Sequence, residues 1–215
     1  MVTAANTGEA SNTATLHWKR TSVADKKRRI ISAVLRLVEK GGVHSATTAR
    51  IAAMARMSEP TLYRVYPNKR EMLLAAADAA WQIKQDVLAP AYHPDAIEHL
   101  GRLIKIHTES IQKSPVVLAQ FQFTVAPPST GLPERVREQN IVEVHQIAEV
   151  IERGKTQGSI RPDVNSREAA WRLHAARWSE AMARLLRFED EVLVSNVSTR
   201  TIELIIRELA TEPRG

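Results

Sequence analysis

The stretch TTARIAAMARMSEPTLYRVYPNKREML, residues 47–73, carries the pattern that decides the fold. Its first half reads as a short helix that Thr47-Thr48 can cap, with an apolar face from Ile51, Ala52, Met54 and Ala55. A tight turn and a second short helix follow. Ser58 can cap that helix, and Glu59-Pro60 fill its first turn, where proline forfeits no intrahelical hydrogen bond. Leu62 and Val65 lie on one side, which leaves Glu59, Thr61, Tyr63, Arg64 and Tyr66 as polar or hydrogen-bonding groups. A helix anchored by so few residues and otherwise lined with donors and acceptors suits insertion into a DNA major groove. A third helix opens at Asn68, where Asn68-x-x-Glu71 has the spacing of a cap and Lys69 beside free helix N–H groups makes an anion site.

The stretch resembles the DNA-binding domain of the tetracycline-repressor (TetR) family of bacterial transcription factors. The residues that carry the likeness are Thr47-Thr48, Ile51-Ala52, Ser58-Glu59-Pro60-Thr61-Leu62-Tyr63, Tyr66, Lys69, Glu71 and Leu73. Ile30 to Gly42 resembles the family's first helix and its glycine stop. Met57 stands where valine is usual, and Val65-Tyr66 replaces the common His-Phe; both changes keep the apolar character. The resemblance implies that Glu59, Thr61 and Arg64 point into the groove, while Thr48, Tyr63 and Lys69 hold phosphates. The chemistry of the side chains agrees. Arg64 can take guanine O6/N7, Glu59 can accept from cytosine N4, and the Thr61 methyl can meet a thymine methyl. A tyrosine hydroxyl and a lysine at a helix start suit phosphate oxygens. Thr47, Ser58 and Pro60 complete the candidate interface at the helix starts. For Thr47 or Thr48 a capping role alone, and for Glu59 a dipole contact alone, remain open alternatives.

Charge along the chain fits such an interface. Residues 17–70 hold 13 Lys/Arg against 3 Asp/Glu, whereas residues 71–215 hold 17 against 20. A basic segment of that kind is the footprint of phosphate contact. Aromatic content is 5% and cysteine is absent from the 215 residues, which favours helices and leaves no disulfide or thiolate chemistry. No apolar run approaches the roughly 20 residues of a membrane span, and the N-terminal stretch lacks the apolar core of a secretory signal. A cytoplasmic location without a membrane partner is the expectation.

Helical periodicity continues to the end of the chain. The first helix is expected from the Ser22-x-x-Asp25 capping box to about Lys40, with Gly41-Gly42 ending it. Further helices are expected from Asn68 to about Leu88, over Asp95–Lys113, in a short segment from Pro115 to about Val125, and from Pro133 to about Gln157. Two more run from Asn165 to near Phe188 and over Glu191–Leu209, after a Gly158–Asp163 turn similar to the family's Gly-x-Ile/Leu-Arg-x-Asp junction. The fold class is therefore all-α. A disordered arm is expected at 1–20, a helix-turn-helix domain at 21–67, and a helical effector-binding and dimerisation domain at 68–210.

The last two helices, at about 166–188 and 191–209, have apolar residues on more than one face and many small residues, so each needs cover on both sides. The family resemblance implies that they pack against their twofold copies, which would present two recognition helices to a twofold operator on double-stranded DNA. An intramolecular core is the alternative. The family also implies a small-molecule effector between the helices of this domain. Candidate lining is Ile104, His107, Ile111, Phe121, Trp171 and Trp178, for each of which ordinary core packing is the favoured alternative, and the apolar balance points to a hydrophobic effector. Gly-rich phosphate loops, Gly-x-Ser-x-Gly, His-Glu-x-x-His and Glu-x-x-His are all missing, so no catalytic centre, metal or cofactor is expected. The sequence thus reads as a homodimeric regulator, most simply a repressor. The alternatives are a regulator without an effector and a helical enzyme or scaffold.

Overall fold

The structure is a computed structural model and describes residues 22–113, 123, 126–186 and 197–211. Helix starts are set where the sequence places short polar side chains. The side-chain oxygens of Ser22, Thr47, Asn68 and Asn165 each accept the backbone N–H three residues on, at 3.0, 3.3, 2.9 and 3.1 Å. Asp95 does the same for Glu98 at 2.8 Å. Each bond satisfies one of the first-turn N–H groups that a helix cannot satisfy itself.

Eight α-helices follow in order among the described residues: α1 Val23–Ser45, α2 Thr48–Ala55, α3 Glu59–Val65, α4 Lys69–Leu88, α5 Ala96–Lys113, α6 Leu132–Gln157, α7 Ser166–Leu186 and α8 Val197–Leu209. Short 3-10 turns at Ala89–Ala91 and Pro128–Thr130 join them. One isolated bridge, Ile160 to Ala210, is the sole extended pairing among the described residues, so the all-α expectation holds. The glycine stop of α1 is a break rather than an end. Gly42 takes φ +70°, a conformation that favours glycine, and one more helical turn then runs to Ser45. The expected arm at 1–20, most of the expected 115–125 helix, and the residues around Phe188 and Glu191 lie outside the described residues.

Two apolar clusters organise the molecule. In the first, Ile30, Val34 and Val38 of α1, Ile51 of α2 and Leu62 of α3 close around Met72 and Leu73 of α4. The same cluster runs on through Ala76, Ala77 and Ala80 to Phe123, Leu132 and Val136, so α4 belongs to both halves of the chain. In the second, α5 packs on α6, α6 on α7, α7 on α8, and α8 returns to α5. Leu100, Val144, Ile147, Ile151, Leu173, Ile202 and Ile205 fill the ring. Gly154 of α6 permits a close approach there, because a Cβ would stand 2.6 Å from Ile160 Cδ1 and 2.9 Å from Ala96 Cβ.

Polar links fasten α4 to α6. Asp78 accepts from Arg135 Nη1 through both oxygens at 3.0 Å and from Gln139 Nε2 at 3.1 Å. Nearer the first domain, Arg70 Nε donates to the Thr130 carbonyl at 3.2 Å. These links tie the N-terminal half of α4 to Thr130 and the first turns of α6.

Candidate nucleic-acid interface and ligand cleft

The turn between α2 and α3 is built on Arg56, whose φ of 54° makes it the only non-glycine residue with positive φ among those described. Its N–H donates to the Ala53 carbonyl at 3.1 Å, and the Met57 N–H reaches the Ala52 carbonyl at 3.0 Å. This double closure ends α2 with a left-handed residue. Arg29 of α1 then donates to the Arg56 carbonyl at 2.7 Å and clamps the turn from below.

Helix α3 hangs on one side chain. Leu62 is fully buried, with Met57, Val65 and Tyr66 half-buried around it. Ser58, Glu59, Pro60, Tyr63 and Arg64 are exposed and Thr61 is half-buried. Ser58 corrects the sequence reading. It has the extended backbone of a cap, yet its hydroxyl makes no bond to a backbone N–H and lies 2.9 Å from the Thr61 hydroxyl. The Thr61 N–H goes instead to the Ser58 carbonyl at 3.0 Å, so the two hydroxyls are free to pair. Thr47, by contrast, is the cap of α2, with Thr48 half-buried behind it. Lys69 opens α4, half-buried, beside the Asn68 cap. Tyr66 packs: its ring lies under Lys27 Nζ at 5.9 Å, and burial raises its phenol above the ordinary value. The arrangement sets exposed donors and acceptors in one row on a helix whose other side is locked into the core.

The second domain holds a buried charge cluster that the sequence does not announce. The Glu143 carboxylate of α6 takes Lys84 Nζ of α4 and Arg177 Nη2 of α7, each at 2.6 Å. Arg177 Nη2 also meets His107 Nδ1 of α5 at 3.1 Å, and His174 Nδ1 lies 3.6 Å from the carboxylate. Four helices thus converge on one ion pair network. Burial alone would raise Glu143, but Arg177 and Lys84 override it and hold the carboxyl far below its ordinary value. Burial, together with Arg177 and Lys84, pushes His107 well down, and burial pushes His174 down to about 4. Both rings are neutral at pH 7.

Acid lability follows. For His174 the unfolded chain takes up its proton near the ordinary 6.5 and the folded one only near 4. Stability from this ring is therefore complete above about pH 6.5 and drains away below it, by about 3 kcal/mol in total. His107 acts in the same sense. Guanidinium midpoints are expected to fall steadily from pH 7 to pH 5, and His174→Gln to flatten the slope. A midpoint constant over that range would refute the buried neutral histidines.

Beside the cluster opens a cleft of about 560 Å³. Leu88, Tyr92, Leu103, Ile147 and Val150 form its apolar wall, with Gln85, Arg153, Glu143 and Arg177 as inner polar groups and the exposed Asp86 and Glu149 on its sides. The sequence candidates for ligand contact lie elsewhere. Ile104 faces a groove between α5 and α8, and His107 is spent in the charge cluster. Trp171 and Trp178 share a face of α7 as their spacing requires, and both contact His174, Trp171 edge-on at 5.6 Å and Trp178 tilted at 5.7 Å between ring centres, but neither lines the cleft. The side chain of Ile111 and all of Phe121 lie outside the described residues. Among the described residues no cluster of carboxylates and histidines suits a metal, and no helix is long and apolar enough to cross a membrane.

A clamped helix-turn-helix is thus joined by α4 to a ring of helices that holds a cleft. The family model described as bacterial regulatory proteins, tetR family, matches residues 30–76. The HTH-type transcriptional repressor KstR of Rhodococcus jostii is 22% identical over 195 residues, 88% of this chain and 86% of that protein. Residues 30–76 thus match the DNA-binding domain of the tetR family, and along most of its length the chain is similar to a transcriptional repressor. A TetR regulator of Haloarcula marismortui shares the fold with a TM-score of 0.77 at 18% identity, covering 87% of this chain and all of that one. A transcriptional regulator of Saccharomonospora viridis, solved in complex with choline, has a TM-score of 0.69 at 22% identity, covering 88% of this chain and all of that one.

Proposed function

We propose that the protein is a cytoplasmic, homodimeric repressor that binds a twofold operator through α3 and is released by a small effector held in the second-domain cleft. The observation that carries the reading is the pairing of a fully buried Leu62 with exposed Tyr63, Arg64 and Glu59 on the same short helix. Glu59, Thr61 and Arg64 would read base edges, and Thr48, Tyr63 and Lys69 would hold phosphates. The repressor sense is supported by the likeness to KstR.

Dimerisation is supported by apolar surface on the last two helices. Trp171 is 42% exposed on α7, and Val197 and Leu204, one heptad apart on α8, are 48% and 63% exposed. Exposed apolar faces on adjacent helices mark an association surface. In the dimer two copies of α3 would meet successive major grooves, roughly 34 Å apart. Helix α4 forms part of the core under α3 and also borders the cleft, so an effector that shifts α4 would change that spacing. A choline-like cation, as bound by the Saccharomonospora protein, is one candidate, but Arg153 and Arg177 in the cleft wall disfavour a cation.

The reading is tested by titrating the protein onto DNA from upstream of its own gene across a salt series. Tight binding to a twofold site is expected, with affinity falling about 10³-fold or more between 50 and 200 mM salt if six or more phosphates are neutralised. Weak binding that is equal on all DNA and insensitive to salt would overturn it.

A further inference from the structure

We propose that the effector is a carboxylic acid with an apolar body, its carboxylate received by the inner polar wall of the cleft at Arg177, Arg153 and Gln85. This rests on the reading that the cleft is the effector site. Among the described residues five buried side-chain nitrogens have no hydrogen-bond partner: His107 Nε2 and His174 Nδ1, which lie off the cleft, and Arg177 Nε on α7, Arg153 Nε on α6 and Gln85 Nε2 on α4. The last three residues line the one cleft, although they come from three helices. Arg177 is itself only 6% exposed. Gln139 Oε1, a buried oxygen without a bond, does not line the cleft. What the cleft wall needs is therefore an acceptor. A buried donor left unbonded is costly, and a ligand supplying oxygen atoms removes that cost at three places together.

Charge selects the same class. Glu143, the one buried carboxylate of the cleft wall, already holds Lys84 and Arg177. An incoming cation would find that acceptor engaged and would face Arg177 and Arg153. Asp86 and Glu149 stand exposed to water, where their charge is screened. Guanidinium groups suit carboxylates through paired N–H donors, and Arg177 has an Nε edge free while its Nη2 serves Glu143. The remaining wall of Leu88, Leu103, Ile147 and Val150 would take a hydrocarbon chain or ring, and about 560 Å³ falls within the usual range for small ligands. A carboxylate on Arg177 would compete with Glu143, whose other partner is Lys84 of α4. Ligand binding would thus act directly on the helix that borders the DNA-binding core.

The test uses the full chain with three matched probes, octanoate, octan-1-ol and octyltrimethylammonium, read by calorimetry and by release of bound operator. Octanoate is expected to bind and release DNA, with the alcohol and the ammonium at least tenfold weaker. Gln85→Leu removes an unbonded donor and leaves the Lys84–Glu143–Arg177 bonds intact; it should weaken octanoate about three- to tenfold with melting temperature and DNA affinity unchanged. Arg177→Lys keeps the charge, loses Nε and should weaken octanoate further. Equal binding of the alcohol, or tighter binding of the ammonium, overturns the carboxylate while leaving the effector cleft standing. Octanoate binding untouched by Gln85→Leu and Arg177→Lys places the acid elsewhere and overturns it too. No binding by any of the three, with operator affinity unaltered, overturns both the inference and the cleft reading beneath it.

Discussion

Tyr63→Ala is expected to remove operator binding while leaving the melting temperature and the oligomeric state of the protein unchanged. Tyr63 is 46% exposed on α3 and contributes nothing to the core that Leu62 anchors. Its loss should therefore cost little folding energy. A hydrogen bond to a charged group contributes about 1.5–3 kcal/mol, and a twofold site would lose it twice, about 3–6 kcal/mol or roughly 10²- to 10⁴-fold in affinity. Fluorescence anisotropy on the labelled operator, beside a thermal melt and sedimentation, checks the three parts together. Leu62→Ala is the useful contrast, since it empties a fully buried position and should lower stability and DNA binding alike. A Tyr63→Ala protein that binds within threefold of the parent would take this residue out of the interface, and a monomeric one would move it to a structural role.

The other large effect is expected at Glu143→Gln. The substitution preserves shape but leaves Lys84 and Arg177 facing one another without the carboxylate that each approaches at 2.6 Å. Breaking a buried pair from one side costs about 3–5 kcal/mol, because the remaining charge stays desolvated. Chemical denaturation should read that loss in the midpoint. Replacing all three charged side chains together by apolar ones of similar size should be far milder, since desolvation of the ions is then relieved as well. If the single and triple replacements cost the same, the cluster is not coupled as its geometry implies. A mild triple replacement would also say that the charges are kept for something other than stability, which is the role the carboxylate proposal gives them.

How much of this was legible in the chain follows from which forces are local. Helix starts were, because a cap needs only a side chain and an N–H three residues on; Ser22, Thr47, Asn68 and Asn165 all make that bond. Ser58 failed the same rule because a second hydroxyl, Thr61, stood within reach and took its side chain. The exposed row on α3 was legible from the position of Leu62 alone. The second domain was not. Lys84, Glu143 and Arg177 sit on three helices where isolated charges read as solvent-facing, and only the packing of α4, α6 and α7 brings them together. Tryptophan and His107 stand out as ligand contacts because they are large or polar, yet the cleft is walled by aliphatic side chains, acids, amides, two arginines, Tyr92 and His99.

The shared apolar cluster along α4 bears on any attempt to build hybrid regulators. Recognition units are exchanged most simply by cutting between domains, and the sequence suggests a cut after Pro67. Such a cut would strip Met72, Leu73, Ala76 and Ala77 from a core that closes over Ile30, Val34 and Ile51. The transplanted piece would carry a recognition helix with half its foundation missing. A portable unit has to extend through Ala80, and its new host must offer apolar residues where Phe123, Leu132 and Val136 now sit. Specificity in this chain can be moved, but only together with the beam that supports it.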